Sequence, residues 1–513
     1  VIAGREGGPV LDRDVCSRAL RTRDARFDGR FYTAVKTTGI YCRPICPART
    51  PKLENCLFLP SAGAAHELGF RPCLRCRPES APGSAGWQGT RSTVSRALRL
   101  IAEGGLDTDG VDELADRLGV GARQIRRLFA RHLGASPVSV AQAHRILFAK
   151  KLLDETALSV GDVALAAGFR SIRRFNEVFR GTYARAPSEL RRARRSDPAG
   201  VSLKLPFSPP YDWPAMIEFL AARAIPGVES VALEEYRRAF RMGPATGHLA
   251  VRAVPGAHHL AATIRTSDVA ALPAIVARLR RLFDLDVNAA AVDEHLARDA
   301  RLSRFVRARP GVRVPGAWDD FELAVRAVVG QQISVAAATT IAGRIAAFGA
   351  PVGGEERAPG ASIVFPSAKE LAFLSLDGIG LTRARARALQ ELARAVAEEP
   401  RVLEGGDSLE ESVGRLLRLP GIGQWTAHYV AMRALREPDA FPASDLGLVK
   451  ALAEKEGDRP SPRTVLDTAE RWRPFRAYAA MRLWLQGTPR ERSGRGPTSP
   501  VAIRGQSRED RAR

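Results

Sequence analysis

All six cysteines of this 513-residue chain lie before residue 77, and four of them form two close pairs. Cys42 and Cys46 are spaced C-x3-C, Cys73 and Cys76 are spaced C-x2-C, and 26 residues separate the pairs. Four thiolates at this spacing can close a tetrahedron around one Zn²⁺ and turn a short segment into a metal-stapled domain. Two disulfides are the alternative. Pairs this tight, with no secretion signal ahead of them, favour metal. Cys16 and Cys56 match no ligand position and read as small core residues.

The residues around the four cysteines narrow the reading. Thr37-Thr38-Gly39-Ile40-Tyr41-Cys42-Arg43-Pro44-Ile45-Cys46 is followed by Glu54-Asn55 and then by Gly69-Phe70-Arg71-Pro72-Cys73-Leu74-Arg75-Cys76. Over residues 12–80, starting near Asp24-Ala25-Arg26, this resembles the methylphosphotriester-repair domain of Ada-type adaptive-response proteins. The resemblance implies that Cys42 is both a zinc ligand and the acceptor of a methyl group from a DNA phosphotriester, with Cys46, Cys73 and Cys76 completing the site. Zinc keeps such a thiolate deprotonated at neutral pH. Arg43, Arg49, Lys52, Arg71, Arg75 and Arg77 would draw in the flanking phosphates. Spacing alone favours an inert Cys₄ staple, the commoner use of such a site; the flanking match reverses that.

Charge points the same way. Lys and Arg total 78 against 56 Asp and Glu, a net charge of +22, so the expected partner is a polyanion and double-stranded DNA is the default. No apolar run is long enough to span a bilayer and no signal-peptide pattern is present, which predicts a cytoplasmic, DNA-associated bacterial protein with no membrane partner. Composition places linkers at 77–90 and 193–200, an exposed loop at 352–362 and a disordered tail at 487–513.

Residues 91–195 read as all-helical with an internal echo. Leu114-Ala115-Asp116-Arg117-Leu118-Gly119-Val120 precedes Arg123-Gln124-Ile125-Arg126-Arg127-Leu128-Phe129; Val163-Ala164-Leu165-Ala166-Ala167-Gly168-Phe169 precedes Arg173-Arg174-Phe175-Asn176. A small residue in the first helix, a glycine at the turn and a basic amphipathic second helix make a helix-turn-helix, here twice. The pair, down to Pro187-Ser188-Glu189-Leu190-Arg191, resembles the DNA-binding domain of AraC-type regulators. Arg123, Arg126, Arg127, Arg173, Arg174 and Asn176 are the candidate DNA contacts; for any one arginine a merely solvated helix face reads the same. For a regulator of this type the resemblance adds RNA polymerase as a partner.

In residues 201–486, Leu419-Pro420-Gly421-Ile422-Gly423 joins two helical patterns, and Asp445 follows Gly423 after 21 residues. Gly421 and Gly423 let the backbone approach a phosphate, and the second helix aims its N-terminal N–H groups at that charge. Together with Pro209-Pro210-Tyr211-Asp212-Trp213, Gly330-Gln331-Gln332-Ile333-Ser334 and Trp472-Arg473-Pro474-Phe475, this resembles the AlkA-type 3-methyladenine-DNA glycosylase II branch of the helix-hairpin-helix glycosylases. The resemblance implies a multidomain α+β chain. Its parts are a small Cys₄ zinc domain (12–80), an all-α double helix-turn-helix domain (91–195), an antiparallel β-rich subdomain (201–300) and an all-α helix-hairpin-helix glycosylase core (301–486).

It further implies a base pocket of Phe219, Trp425, Tyr429 and Trp484, suited to a cationic alkylated purine through stacking and cation–π attraction. Each of these could equally be core packing. Asp445 is the carboxylate that would stabilise the developing oxocarbenium ion. Trp425 stands where strand-nicking relatives carry Lys, so no Schiff base is expected. His428 reads as structural or a phosphate neighbour. Gln332 replaces the Leu that wedges into the base stack in the best-known relatives. No cysteine follows Cys76, so neither an iron–sulfur cluster nor reversal of O6-methylguanine is expected. Two other readings use the same residues: a regulator whose glycosylase region only binds DNA, and a repair enzyme whose front half only anchors it.

Overall fold

The short N-terminal module is built around two turns of backbone that the cysteines bring together. In a computed structural model, which describes residues 11–81, 93–107, 110–191, 200–353, 360–404, 408–453 and 458–486, Asp12 caps the helix Arg13–Thr22. A four-stranded sheet follows in the order Cys56–Leu59, Tyr32–Val35, Ile40–Cys42, Arg71–Pro72. The last strand pairs in parallel with Ile40–Cys42, which sets the second cysteine pair beside the first. The module's apolar core is small, centred on Tyr32, Ala34, Tyr41 and Ala65. Cys16 and Cys56 are buried, as expected of core residues, Cys16 in a second small cluster with Ala19 and Phe31. Burial and the nearby Asp12 push the Cys16 thiol up to about 11, so it is a poor nucleophile.

Most of the two expected linkers and the tail lie outside the described residues. The start of the first linker is docked instead of free: Pro78–Ser80 forms a 3₁₀ turn, and Arg77 pairs with Glu79 at 3.2 Å and with Asp154 at 2.5 Å. The module also packs on the long helix Pro137–Glu155, and Ser61 Oγ donates to the carbonyl of Leu133, which ends the helix before it, at 2.8 Å.

Both helix-turn-helix units form. The pairs are Val111–Leu118 with Ala122–Leu133 and Val160–Ala166 with Ile172–Tyr183. Ala115 and Ala164 are buried where the helices cross, and Gly119 and Gly168 turn the chain at φ 73° and 77°. A side chain at Gly168 would collide with the Asp107 carboxylate, so the second turn is also a packing site. The two units differ in what they pack on. The first has its own core around Leu114, Ile125 and Phe129. The second shares one continuous core with the β subdomain: Phe175 and Phe179 join Leu203, Leu205 and Phe240. The expected break near 200 is therefore a change of secondary structure within a single apolar layer.

The five-stranded antiparallel sheet runs Val201–Pro206, His259–Thr266, Ala245–Ala253, Glu235–Met242, Glu229–Ala232. Period-2 alternation buries Tyr236, Arg238 and Phe240 on one strand. Arg238 is tolerated because it pairs with Glu322 and, at 3.2 Å, with Glu229, while Arg326 also pairs with both carboxylates. This network pins the sheet to the helical core. That core includes Ala215 and Phe219 of helix Trp213–Ala221 and Val292 of helix Ala289–Leu296, so the helical layer takes residues from ahead of 301. The loop expected at 352–362 is anchored at both ends: Val352 and Ala361 are buried, and Ala361 bridges to Gly227.

Candidate active site and metal centre

Asp445 owes its position to its role as N-cap. Its Oδ1 accepts from the backbone N–H of Gly447 at 2.8 Å and of Leu448 at 3.1 Å, starting the helix Leu446–Leu452. Two indoles complete the carboxylate's shell: Trp484 Nε1 donates to Oδ1 at 2.8 Å and Trp425 Nε1 donates to Oδ2 at 2.9 Å. Four donors thus converge on one acceptor-only group and fix its orientation. Gly447 makes room for this, since a Cβ there would meet Trp484 Cδ1 at 3.0 Å.

Trp425 and Tyr429 sit one turn apart on helix Gln424–Arg433 and stack at 5.1 Å and 11°; Trp484 tilts against Tyr429 at 6.3 Å. These three rings and Asp445 line a cavity of about 1270 Å³ between the β subdomain and the helical core. Burial pushes the Tyr429 phenol up, but the Arg433 and Arg223 guanidiniums more than reverse this and hold it below the usual tyrosine range.

Phe219 is not in the cavity wall as the sequence suggested. Its ring lies behind the wall, beneath the guanidinium carbons of Arg223 and Arg433 at 3.8 and 4.8 Å. Those arginines reach the cavity in its place. His428 accepts from the Phe441 N–H through Nδ1 at 3.4 Å, a structural contact.

The hairpin glycines are at the cavity mouth. Gly421, at φ 74°, packs so closely on Ala388 that a Cβ would lie 2.6 Å from that residue's Cβ. Gly423 starts the helix that carries Trp425 and Tyr429. Gln332 is exposed at the mouth with φ 60°, a strained conformation for a side-chain-bearing residue. Its neighbour Gln331 fastens this loop to the hairpin by donating to the Gly421 carbonyl at 2.8 Å and the Thr426 hydroxyl at 2.9 Å. Gln331 lies in a matched run without being singled out, and Arg223 and Arg433 carried no separate signal in the sequence.

In the N-terminal module the four Sγ atoms of Cys42, Cys46, Cys73 and Cys76 lie within 4.8 Å of one another. Cys46, Cys73 and Cys76 are buried, whereas Cys42 is half-buried. The Arg43 N–H donates to Cys76 Sγ at 3.3 Å, an arrangement suited to thiolate. This is a closed Cys₄ set that fits one Zn²⁺. Cys42, the least buried of the four, lines with Cys46 and Cys73 a cavity of about 690 Å³ that also takes in Arg49, Lys52, Arg71 and Arg75. Arg43 and Arg77 do not serve that cavity. Arg43 is locked to Asp28 and the Cys76 carbonyl, and Arg77 is held by Glu79 and Asp154.

Of the candidate DNA contacts in the helix-turn-helix units, Arg123, Arg126, Arg127, Arg173 and Arg174 are exposed on the second helix of each unit and Asn176 is half-buried. Arg173 and Arg174 share Glu177, at 3.2 and 3.5 Å, across a surface where such pairs are weak and easily exchanged for phosphate. No helix among the described residues is long and apolar enough to cross a membrane.

A protein of Mycobacterium tuberculosis named probable bifunctional transcriptional activator/DNA repair enzyme AlkA is 44% identical over 482 residues, which cover 92% of this chain and 96% of that protein. The chain belongs to that family. Its parts match separately as well. The family models "Metal binding domain of Ada", "Helix-turn-helix domain" and "AlkA N-terminal domain" match residues 15–79, 114–193 and 202–319. DNA-3-methyladenine glycosylase 2 of Escherichia coli is 35% identical over 286 residues, 55% of this chain and 95% of that enzyme. The bifunctional transcriptional activator/DNA repair enzyme Ada of Escherichia coli is 37% identical over 154 residues, 30% of this chain and 41% of that protein. The bifunctional family thus spans both halves: a zinc-binding, helix-turn-helix front and a glycosylase rear.

Proposed function

We propose that the rear half is a monofunctional DNA glycosylase that releases alkylated purines of the 3-methyladenine class from duplex DNA. The observation that carries this is the Asp445 carboxylate, fixed by two indole N–H and two backbone N–H donors at the edge of an aromatic cavity. A base alkylated at N3 or N7 is cationic and departs neutral, so little acid assistance is needed. The barrier lies in the positive charge that develops at C1′ of the sugar. A pre-oriented carboxylate stabilises that charge without reorganising, and it can align the attacking water. Trp425, Tyr429 and Trp484 would hold the everted base by stacking, while the Gly421–Gly423 hairpin takes the backbone phosphate and Gln332 enters the vacated stack. With no amine at the position of Trp425, the product is an intact strand bearing an abasic site.

Single-turnover base release from alkylated duplex DNA, comparing the wild type with Asp445→Asn, tests this. Release should fall about 10²–10³-fold with DNA binding retained. A mutant as fast as the wild type would refute the assignment.

The front half we read as a sensor and regulator, for which the partial exposure of Cys42 beside four basic residues is the support. The four cysteines hold Zn²⁺, which when bound keeps the sulfurs as thiolates. Cys42 Sγ attacks the methyl carbon of a methylphosphotriester; the S–C bond forms, the C–O bond breaks, and a phosphodiester anion leaves. The thioether product is not regenerated, so each chain accepts one methyl group. Arg123, Arg126, Arg127, Arg173, Arg174 and Asn176 then hold promoter DNA, and RNA polymerase is the further partner this reading implies. Mass spectrometry after incubation with methylated DNA should find one methyl group on Cys42 and none on Cys46, Cys73 or Cys76. An unmodified Cys42 beside an active glycosylase would reduce the front half to an anchor.

A further inference from the structure

The cavity beside Cys42 is not closed by the zinc module alone. Part of its wall is Tyr183, Ala184 and Arg185, from the end of the second helix of the second helix-turn-helix unit, Ile172–Tyr183. Ala184 caps that helix at φ 55°, and Arg185 is the first residue beyond the turn. The strand Arg71–Pro72, next to Cys73, packs against the same helix. The helix that carries the candidate DNA contacts Arg173, Arg174 and Asn176 near its start thus has its far end at the cavity beside Cys42.

Contacts elsewhere in the module fix this placement. Gly63 comes so close to the helix Pro137–Glu155 that a Cβ there would meet Val140 Cγ2 at 2.9 Å. Arg77 and Lys150, from the two sides of the junction, share the buried carboxylates of Glu79 and Asp154. Pulling one member out of such a cluster leaves an uncompensated buried charge, which disfavours any other position of the module.

The charge of the cavity is one-sided. Arg49, Lys52, Arg71, Arg75 and Arg185 line it, and no Asp or Glu does. Arg185 is exposed and has no hydrogen bond or ion pair among the described residues, whereas Arg173 and Arg174 on the same helix share Glu177. Cations gathered without carboxylates make an anion site. A methylphosphotriester is itself neutral, so what these cations can hold is the charged phosphates on either side of it.

We propose that Arg185 is a positioning residue for methyl transfer: it binds a backbone phosphate flanking the methylphosphotriester, so that the second helix-turn-helix unit completes the acceptor site of the zinc module. This rests on the sensor reading above. The neutral triester offers no charge to be oriented by, and a flanking phosphate held from a second domain fixes how the methyl carbon faces Cys42 Sγ.

The test uses the full zinc-loaded chain and duplexes with one methylphosphotriester, counting methyl groups on Cys42 by mass spectrometry in single turnover at saturating DNA. Arg185→Ala should slow transfer about tenfold, as expected for one charge-assisted contact, and Arg185→Lys should recover part of it, with zinc content and Tm unchanged. Each phosphate near the triester is then replaced in turn by an uncharged methylphosphonate, which cannot give up its methyl group. At one position this should slow the wild type about tenfold and leave Arg185→Ala at its own rate, because both changes remove the same contact. Binding to a duplex with methylphosphonate in place of the triester should show a salt slope shallower by about 1 in Arg185→Ala. Additive effects at every position, a transfer rate equal to the wild type's, or slowing that comes with loss of zinc would overturn the proposal. A wild type that leaves Cys42 unmodified while it releases bases would instead sink the sensor reading itself.

Discussion

The zinc module and the glycosylase core solve the same problem, presenting one reactive group to DNA, by opposite means. The module has a slight apolar core, and the sulfur proposed to react, that of Cys42, is also one of the four that would hold the zinc. The glycosylase core is large and apolar, and Asp445 joins it only through a helix cap and two indole hydrogen bonds. In the first case chemistry and stability reside in the same four atoms. In the second they are separable. On the proposed function that fits a group consumed once against a group used repeatedly: a spent sulfur can remain in the fold as a signal, whereas a turnover site must return unchanged.

Metal removal should break the comparison most sharply. Structural zinc contributes about 10–16 kcal/mol of folding free energy in small domains, more than a core of this size can replace. Chelation of the full chain should unfold the segment around residues 12–80, seen as loss of hydrogen-exchange protection there, while base release persists. Protection that survived complete zinc removal would show that docking on helix Pro137–Glu155 holds the module by itself.

Asp445→Asn is the reciprocal change and the next largest. The amide keeps an acceptor for the cap, so Tm should move little while release falls about 10²–10³-fold. A large drop in Tm would mean that chemistry and fold are coupled in the rear half too.

The contrast also explains what the sequence disclosed. The cysteines and the hairpin-to-Asp445 spacing are local, because a metal ligand or a cap must be close in sequence to the turn it serves. The architecture followed from them, as did the cavity containing Trp425, Tyr429, Trp484 and Asp445. Phe219 and Arg223 lie four residues apart, but only tertiary packing shows that the ring is covered and the guanidinium lines the cavity. An arginine at the end of a helix reads as solvated until something is folded over it. The core shared between the second helix-turn-helix and the five-stranded sheet was hidden for a related reason, since an apolar face does not name its partner. The same holds for Arg43 and Arg77, whose partners Asp28 and Asp154 lie 15 and 77 residues away.

The junction between sheet and core supplies the third test. Burial raises the Glu322 carboxyl, but Arg238 and Arg326 outweigh it and bring it down to about 2 from an ordinary 4.5. The folded state therefore binds this proton less readily than the unfolded chain. Its contribution, on the order of 3 kcal/mol, is complete above about pH 4.5 and is lost as pH falls towards 2. Unfolding midpoints measured from pH 5 to pH 3 should fall more steeply in the wild type than in Glu322→Gln, which starts lower because it leaves Arg238 and Arg326 short of charge. Parallel slopes would show that other carboxylates dominate acid unfolding.

The smallest effect concerns the zinc module after it has reacted. Four thiolates on one Zn²⁺ carry a formal charge of −2, and methylation of Cys42 makes it −1. One unit of repulsion against the DNA backbone disappears beside Arg49, Lys52, Arg71 and Arg75, which were already drawing that backbone in. DNA affinity should therefore rise on methylation, and the gain should be largest at low ionic strength, where the Debye length exceeds the width of the site. Because one charge changes, the slope of log K against log salt should steepen by only about 1. Titrating methylated and unmethylated full chain onto the same promoter duplex at several salt concentrations measures it, with base release as the control that must not change. Equal slopes would mean that the gain, if any, comes from a rearranged fold and not from charge, a coupling open to a module whose chemistry and stability reside in the same four atoms.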